Sequence, residues 1–380
     1  MEVTVYSPFT DLPFDVLEII LRSCEGYAYI NSQVCSEWRE MVLPWGNLKE
    51  KFIDVCFEED LPYVAKFPAS YFTNLRLHLL VRNERVDLLQ MAVNRGVYVF
   101  SCQTPAAKLG SVKVLKWYDS EICKISPNHI GYLAAKEGHW EVLQWLIEKE
   151  SQLDSSVMAG AAEFGDLEIV QRLKAYGCQW DETACDGAAE KGHLEILKWL
   201  RSNPEDLCPW NERASRVAAQ GGDLETLKWM KEQNCPWHSE VALVLADNEH
   251  FETLKWELEN GGIWNDRIYD AIIRKGDLEV LQWIRGKGYL WDGSVVDSAA
   301  FYGQLHILKW VTANGLQLTS GCVDSACQSQ DLDTLKWLIR QGQTWPNYSR
   351  YFMLKVNVQI KEWALDNGCP TSYFSQEFGI

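Results

Sequence analysis

Twelve cysteines and seven histidines are the side chains in this 380-residue sequence best suited to metal or nucleophilic chemistry. Together they build zinc centres, and beside a general base a cysteine becomes a nucleophile. The spacing argues against both uses. Cys178, Cys208, Cys235 and Cys369 each take the same loop position in a recurring segment, so neighbours stand about one segment apart. Zinc ligands instead come in pairs two to four residues apart. Cys185 and Cys327 fall in short predicted helices, and His139 and His193 recur at helix starts, where packing and capping account for them. The chain has no phosphate-binding glycine loop, no G-x-S-x-G and no H-E-x-x-H. The expectation is a protein that is not an enzyme, with no metal and no cofactor.

The remaining candidate chemistry is aromatic. Tryptophan recurs at Trp117, Trp145, Trp199, Trp229, Trp256, Trp283, Trp310, Trp337 and Trp363. With Arg172 counted as the slot after Trp145, the gaps are 28, 27, 27, 30, 27, 27, 27, 27 and 26 residues. A second series, Trp180, Trp210, Trp237, Trp264, Trp291 and Trp345, sits in loops behind the first. Such ladders can stack on bases or sugars. A fixed period of this length, however, marks stacked supersecondary units that bury their apolar faces on one another. A ladder at helical spacing among leucines is therefore first a packing ladder, and the first series is expected to be buried between repeats.

The unit that positions these residues reads most cleanly from Gly187 to Leu200, GAAEKGHLEILKWL. Gly192 ends one short helix in the left-handed conformation that helix ends favour. Asp166, Asp223, Asp277 and Asp331 stand at the starts of second helices, where aspartate is a good N-cap. Glu195/Lys198, Glu225/Lys228 and Glu252/Lys255 lie three apart, as on a solvated helix face. Each unit is then helix, tight turn, helix and short loop.

These residues resemble the second half of an ankyrin repeat. The Ala-Ala-x-x-Gly-His-Leu-Glu-Ile pattern stands at 188–196, with close matches at 134–143, 161–170, 218–227 and 299–308. The resemblance implies an all-α ankyrin-like helical repeat solenoid over residues 48–370. Its period of about 27 is shorter than the ~33 of the family, which implies that the projecting β-hairpin finger is missing. Counting slots back from the ladder places Lys66 and Met91 in degenerate units, as at the capped end of a stack.

The stretch 9–45 has a different pattern, Asp11-Leu-Pro-Phe-Asp-Val-Leu-Glu-Ile-Ile-Leu21, then Val34-Cys-Ser-Glu-Trp38. Val16, Leu17, Ile20 and Leu21 form an apolar stripe on a helix that Pro13 can start. The stretch resembles an F-box. That likeness implies that Leu12, Pro13, Val16, Leu17, Ile20, Leu21, Val34, Cys35 and Trp38 form the surface, or its support, that holds a Skp-type adaptor of a cullin–RING ubiquitin ligase. The alternative is a helical cap for the solenoid. An F-box ahead of Trp-rich, short-fingered repeats is similar to families encoded by giant DNA viruses and some protists. Residues 1–8 are left as a flexible N-terminus and 371–380 as a C-terminal tail.

The net charge of −17, from 36 basic and 53 acidic residues, disfavours nucleic acid, which demands a basic stripe. Apolar runs fall well short of the ~20 residues of a membrane span, and the start lacks a signal-peptide layout. A monomer in the cytoplasm or nucleus, in the host cytoplasm if viral, is expected. In ankyrin-like stacks the two residues between Ala-Ala and Gly face the concave groove. Here they are Lys136-Glu137, Glu163-Phe164, Glu190-Lys191, Arg274-Lys275 and Phe301-Tyr302, with Gln220 and Gln328-Ser329 in aligned slots. They are the candidate substrate-protein surface, or else ordinary solvated helix ends. The function expected is an interaction adaptor that presents a substrate to a ligase. The alternative is a repeat scaffold that sequesters or blocks a partner without ubiquitination.

Overall fold

A computed structural model describes residues 69–345 and 357–369. The F-box-like residues Leu12 to Trp38, the degenerate unit around Lys66 and the tail 371–380 lie outside the described residues. Within them every regular element is a helix and there is no strand, so the finger hairpin is indeed replaced by short loops. The fold is an all-α helical-repeat solenoid, and the chain divides between Ala184 and Cys185 into two compact units.

In the first unit the helix pairs are Asn74–Arg82 with Val86–Asn94, Gln103–Lys108 with Val112–Glu121, Pro127–Lys136 with Trp140–Glu148, and Ser155–Phe164 with Leu167–Tyr176. Helix Glu182–Glu190 crosses the division and is followed in the chain by Leu194–Leu200. The second unit continues with Glu212–Gly221 and Leu224–Glu232, Val241–Asp247 and Phe251–Glu259, Arg267–Lys275 and Leu278–Gly286. Ser294–Phe301 with Leu305–Ala313, Cys322–Ser329 with Leu332–Arg340, and the helix Val358–Asp366 complete it.

Each pair forms for local reasons that repeat. The carboxylates of Asp166, Asp223, Asp277 and Asp331 accept hydrogen bonds from backbone N–H groups in the first turns of the second helices. Asp181, Asn211, Asn265 and Asp292, placed just after the loop tryptophans, accept N–H bonds at the starts of the first helices. A positive-φ residue follows the first helix in every pair, with φ from 51° at Glu84 to 98° at Gly165. Three of these slots hold residues that pay backbone strain, Glu84, Glu249 and Gln330. Left-handed backbone costs an L-residue about 1–2 kcal/mol, against about 0.5–1 kcal/mol of extra chain entropy for glycine. Gln330→Gly is thus expected to stabilise the last pairs by about 0.5–1 kcal/mol. Urea unfolding checks this, and a loss of stability would contradict it.

Histidine in the turn does something other than capping. His139 and His250 make no side-chain cap bond to their own helices. Their Nε2 atoms instead lie 2.7 Å from the Lys108 carbonyl and 2.9 Å from the Gln220 carbonyl, at the end of the previous first helix. The turn glycine must therefore leave room as well as bend. A Cβ at Gly222 would stand 2.1 Å from the His250 ring, and one at Gly192 would stand 2.9 Å from Asp223. His193 likewise makes no cap bond to its helix.

The core lies where the Ala-Ala pairs meet the leucines. Ala134, Ala135, Ala161, Ala162, Ala188, Ala299 and Ala300 are fully buried, as are Leu143, Leu197, Leu227, Leu281 and Leu308. The tryptophan ladder differs from expectation. Trp117 is buried, but Trp145, Trp199, Trp229, Trp256, Trp283, Trp310, Trp337 and Trp363 are only half-buried. Small residues seal the closest helix contacts, and the indoles are held at the edge of the layer, where an N–H can find a partner. There the two series interlock between neighbouring repeats. Trp210 meets Trp229 edge-on with ring centroids 5.9 Å apart, and Trp291 meets Trp310 at 5.3 Å.

Candidate functional site

The row predicted from the repeat forms where each first helix runs out. Lys136, Phe164, Glu190, Lys275 and Phe301 are the last residues of their helices, and Glu163 and Arg274 the next to last. Glu137, Lys191 and Tyr302 follow directly. The preceding apolar pair is sealed in the core, so these side chains are carried out of it. Glu137, Phe164, Lys191, Arg274, Lys275 and Phe301 are exposed, and Lys136, Glu163, Glu190 and Tyr302 are half-buried.

In the first unit, Lys136 Nζ lies 2.7 Å from Glu163 Oε1 of the next repeat. That hydrogen bond, ahead of other causes, holds the lysine above its ordinary pKa. In the second unit, Glu190 and Lys191 pair with each other at 2.9 Å and, with Gln220, Gly221 and Asn248, line an open depression. Arg274 and Lys275 reach back one repeat, to Asp247 at 2.6 Å and Glu249 at 2.5 Å. Lys275 pulls the Glu249 carboxyl below its usual value, chiefly by hydrogen bonding. The Tyr302 hydroxyl donates to Asp270 at 3.1 Å, and its ring packs edge-on against Phe301 at 5.0 Å. Burial, then the Asp270 charge, raises the phenol pKa and keeps it a donor.

The arrangement suits recognition. Three of its ion pairs cross from one repeat to the next, and Phe164 and Phe301 present apolar edges with 44% and 41% of their surface exposed. Tyr302 is held by Asp270 and is less available than its neighbour. Asp247, Glu249 and Asp270 belong to the surface although the repeat pattern does not single them out. Their signal is the period itself, since Asp247 and Glu249 stand 27 and 26 residues before their partners.

The tryptophan rows have little face to offer a base or sugar. Lys174 sits 3.4 Å from the Trp180 ring centroid, Arg201 4.2 Å from Trp210, and Arg285 4.6 Å from Trp291. Lys231 covers both Trp237 and Trp256, at 5.0 and 5.2 Å. These cation–π contacts occupy the rings from within the chain. Several cysteines are equally committed. Burial pushes the Cys178 thiol up to about 11 and the Cys102 and Cys235 thiols up to about 12, so they stay protonated near neutrality. Among the described residues no group of three or more His, Cys, Asp or Glu is placed to hold a metal ion, and no helix is long and apolar enough to cross a membrane.

Comparison with known proteins agrees with the repeat geometry. A family model described as ankyrin repeats, in three copies, matches residues 130–211. Within the chain, residues 130–211 are thus similar to ankyrin repeats. They mark it as a repeat protein of protein–protein interaction, and ankyrin repeats are typically non-enzymatic binding scaffolds. No curated protein matches the chain. Among solved structures it is similar to the pentatricopeptide repeat protein PPR10 in complex with an 18-nt psaJ RNA element, with 10% identity and a TM-score of 0.41. That likeness covers 97% of this chain and 56% of the other, so the chain spans just over half its length. The structure of PPR10 from maize gives a TM-score of 0.27 at 10% identity, over 97% of this chain and 74% of that one. Neither likeness bears on what this chain binds.

Proposed function

We propose that the chain is a substrate receptor of a cullin–RING ubiquitin ligase. Residues 9–45 hold a Skp-type adaptor, and the repeats over 48–370 hold a substrate protein through the helix-end row. The protein does no chemistry of its own and works as a monomer in the cytoplasm or nucleus. The observation that carries this reading is the order of parts: Leu12-Pro13 and Val34-Cys35-x-x-Trp38 at F-box spacing, ahead of ankyrin repeats at 130–211. The exposed Phe164 and Phe301 edges support the substrate half, because aromatic anchors carry much of interface energy. The Trp-rich, short-fingered repeat style supports a source among giant DNA viruses or protists.

Co-purification with a Skp-type subunit tests the ligase half. The full-length variant Leu12→Ala/Pro13→Ala is expected to lose the subunit at least about tenfold, the effect of removing one good anchor, with helical content unchanged. Phe164→Ala/Phe301→Ala/Tyr302→Ala should keep the subunit and lose the proteins captured by proximity labelling in cells. If the wild-type chain holds no Skp-type subunit, the ligase role is gone and a sequestering scaffold remains.

A further inference from the structure

The loop edge of the second unit carries a second row, distinct from the helix ends. In four consecutive repeats the residue just before the loop tryptophan is apolar: Pro209, Pro236, Ile263 and Leu290, each 27 residues from the next. All four are exposed, and Ile263 and Leu290 keep 59% and 81% of their surface open to solvent. The neighbouring tryptophans are packed into the stack, so these residues are carried outward on a rigid base. Trp264 stacks on Tyr289 at 4.2 Å, and Trp291 meets Trp310 at 5.3 Å. Large aliphatic side chains left in water on well-packed loops cost free energy in the isolated protein, and contiguous exposed apolar residues mark contact surfaces.

The exposed charges that flank the row are mostly acidic. Exposed carboxylates follow within a few residues at three of the four steps: Glu212 after Pro209, Asp266 after Ile263 and Asp292 after Leu290. Of the nearby cations, Arg213 lies against Asp186 at 3.4 Å and Lys287 against Glu259 at 2.6 Å, Arg201, Lys231 and Arg285 lie over the loop tryptophan rings, and Arg267 stands exposed beside Asp266. The edge is therefore an apolar line bordered mainly by acid.

We infer that this edge docks a basic amphipathic α-helix of a partner protein, with the helix's apolar stripe on Pro209, Pro236, Ile263 and Leu290. Stacked helices lie about 8–10 Å apart, which sets the step between equivalent loop residues. An α-helix advances about 10.5 Å in seven residues, so one residue per heptad meets one anchor per repeat. Same-face residues of an extended strand recur about every 6.6 Å and fall out of step. Four anchors span about 24–30 Å, or about 16–20 residues of helix. Lysine or arginine beside the stripe then faces Glu212, Asp266 and Asp292. The surface is separate from the helix-end row and does not depend on the ligase role.

The test titrates full-length protein with a fluorescent Leu/Lys peptide of about 21 residues in a heptad pattern, read by anisotropy. Two comparison peptides have the same composition in alternating order, and the same heptad pattern with Glu for Lys. Saturable one-to-one binding of the heptad Leu/Lys peptide is expected, with the other two at least about tenfold weaker. Ile263→Asp/Leu290→Asp should weaken the heptad peptide at least about tenfold. Added acid alone would strengthen a basic peptide, so this loss cannot come from net charge. Leu290→Ser, at the most exposed anchor, should show a smaller loss in the same direction and covers the case of a double variant that misfolds. Equal binding of the alternating peptide, or undiminished binding by both variants, would overturn the inference. So would sedimentation showing that the wild-type chain self-associates through this edge and that Ile263→Asp/Leu290→Asp abolishes it, since the occupant would then be a second copy.

Discussion

Replacing Gly221 with alanine is expected to destabilise the second unit by about 3 kcal/mol, the upper part of the range for overpacking. Gly221 lies within helix Glu212–Gly221 and has ordinary helical backbone, so conformational freedom is not why glycine stands there. The reason is contact. A Cβ at 221 would stand 1.8 Å from the backbone oxygen of Glu190 and 2.9 Å from its carbonyl carbon. A side chain could rotate away, but the end of a packed helix cannot without moving the next repeat. Gly96→Ala is the control. It has positive φ of 80° and nothing within 4 Å of the added carbon, so only backbone strain of about 1 kcal/mol is expected. Each repeat touches only its neighbours, so the damage stays local and a single melting temperature would blur it. Hydrogen exchange is the suitable measurement. The Gly221→Ala protein should lose protection around 182–232 and keep it near 305–340. Uniform protection like that of the wild type would show that the stack yields at this contact more easily than its geometry implies.

The second large effect is expected at a buried charge. Glu257 follows the ladder tryptophan, in the slot that holds Leu146, Leu200, Met230, Ile284, Val311 and Leu338 elsewhere, and it is just as buried. Its Oε2 lies 3.1 Å from Lys231 Nζ of the previous repeat, and its Oε1 accepts the Trp237 indole N–H at 2.8 Å. Lys231 also donates to the Asn260 carbonyl at 3.0 Å. Lys231→Met removes the countercharge and leaves the carboxylate sealed in the layer, at a cost of about 3 kcal/mol. Adding Glu257→Leu should bring the protein back to within about 1 kcal/mol of wild type, because an apolar pair of similar volume generally replaces a buried ion pair without loss. Unfolding followed by tryptophan fluorescence gives the double-mutant cycle. If the two substitutions simply add, the carboxylate is not dependent on Lys231 and the reading of this slot is wrong.

The helix-end row shows where sequence legibility stops. Phe164 and Phe301 can be located from the repeat, because two residues between a buried pair and a turn glycine must surface somewhere. That Arg274 and Lys275 are tied to Asp247 and Glu249, or that Tyr302 gives its hydroxyl to Asp270, depends on side chains one repeat away. The tryptophans teach the same lesson from the other side. Their period was enough to predict repeat-to-repeat contact, and Trp210 on Trp229 bears that out. Whether an indole is buried or sits half-exposed beneath Arg201 depends on how closely two helices approach, and alanines and leucines settle that first.

By itself the sequence determined the unit. Helix, turn, helix and loop follow from short-range chemistry that every repeat restates: Asp166 or Asp223 at an N-cap, a left-handed glycine such as Gly192, and leucines at helical spacing. The number and order of units follow from the period, since a one-dimensional stack needs only nearest-neighbour contacts. Tertiary structure decided everything that depends on distances of a few ångströms between units. It turned His139 from a cap into a partner for a carbonyl of the previous repeat, as it did for His250, and it made Gly221 a contact residue. It admitted the Glu257 carboxylate to the core because Lys231 arrives beside it, and left Ile263 and Leu290 outside. Periodicity fixes which residues are equivalent, but burial and charge pairing are set by the packed neighbour, whose approach no single repeat encodes.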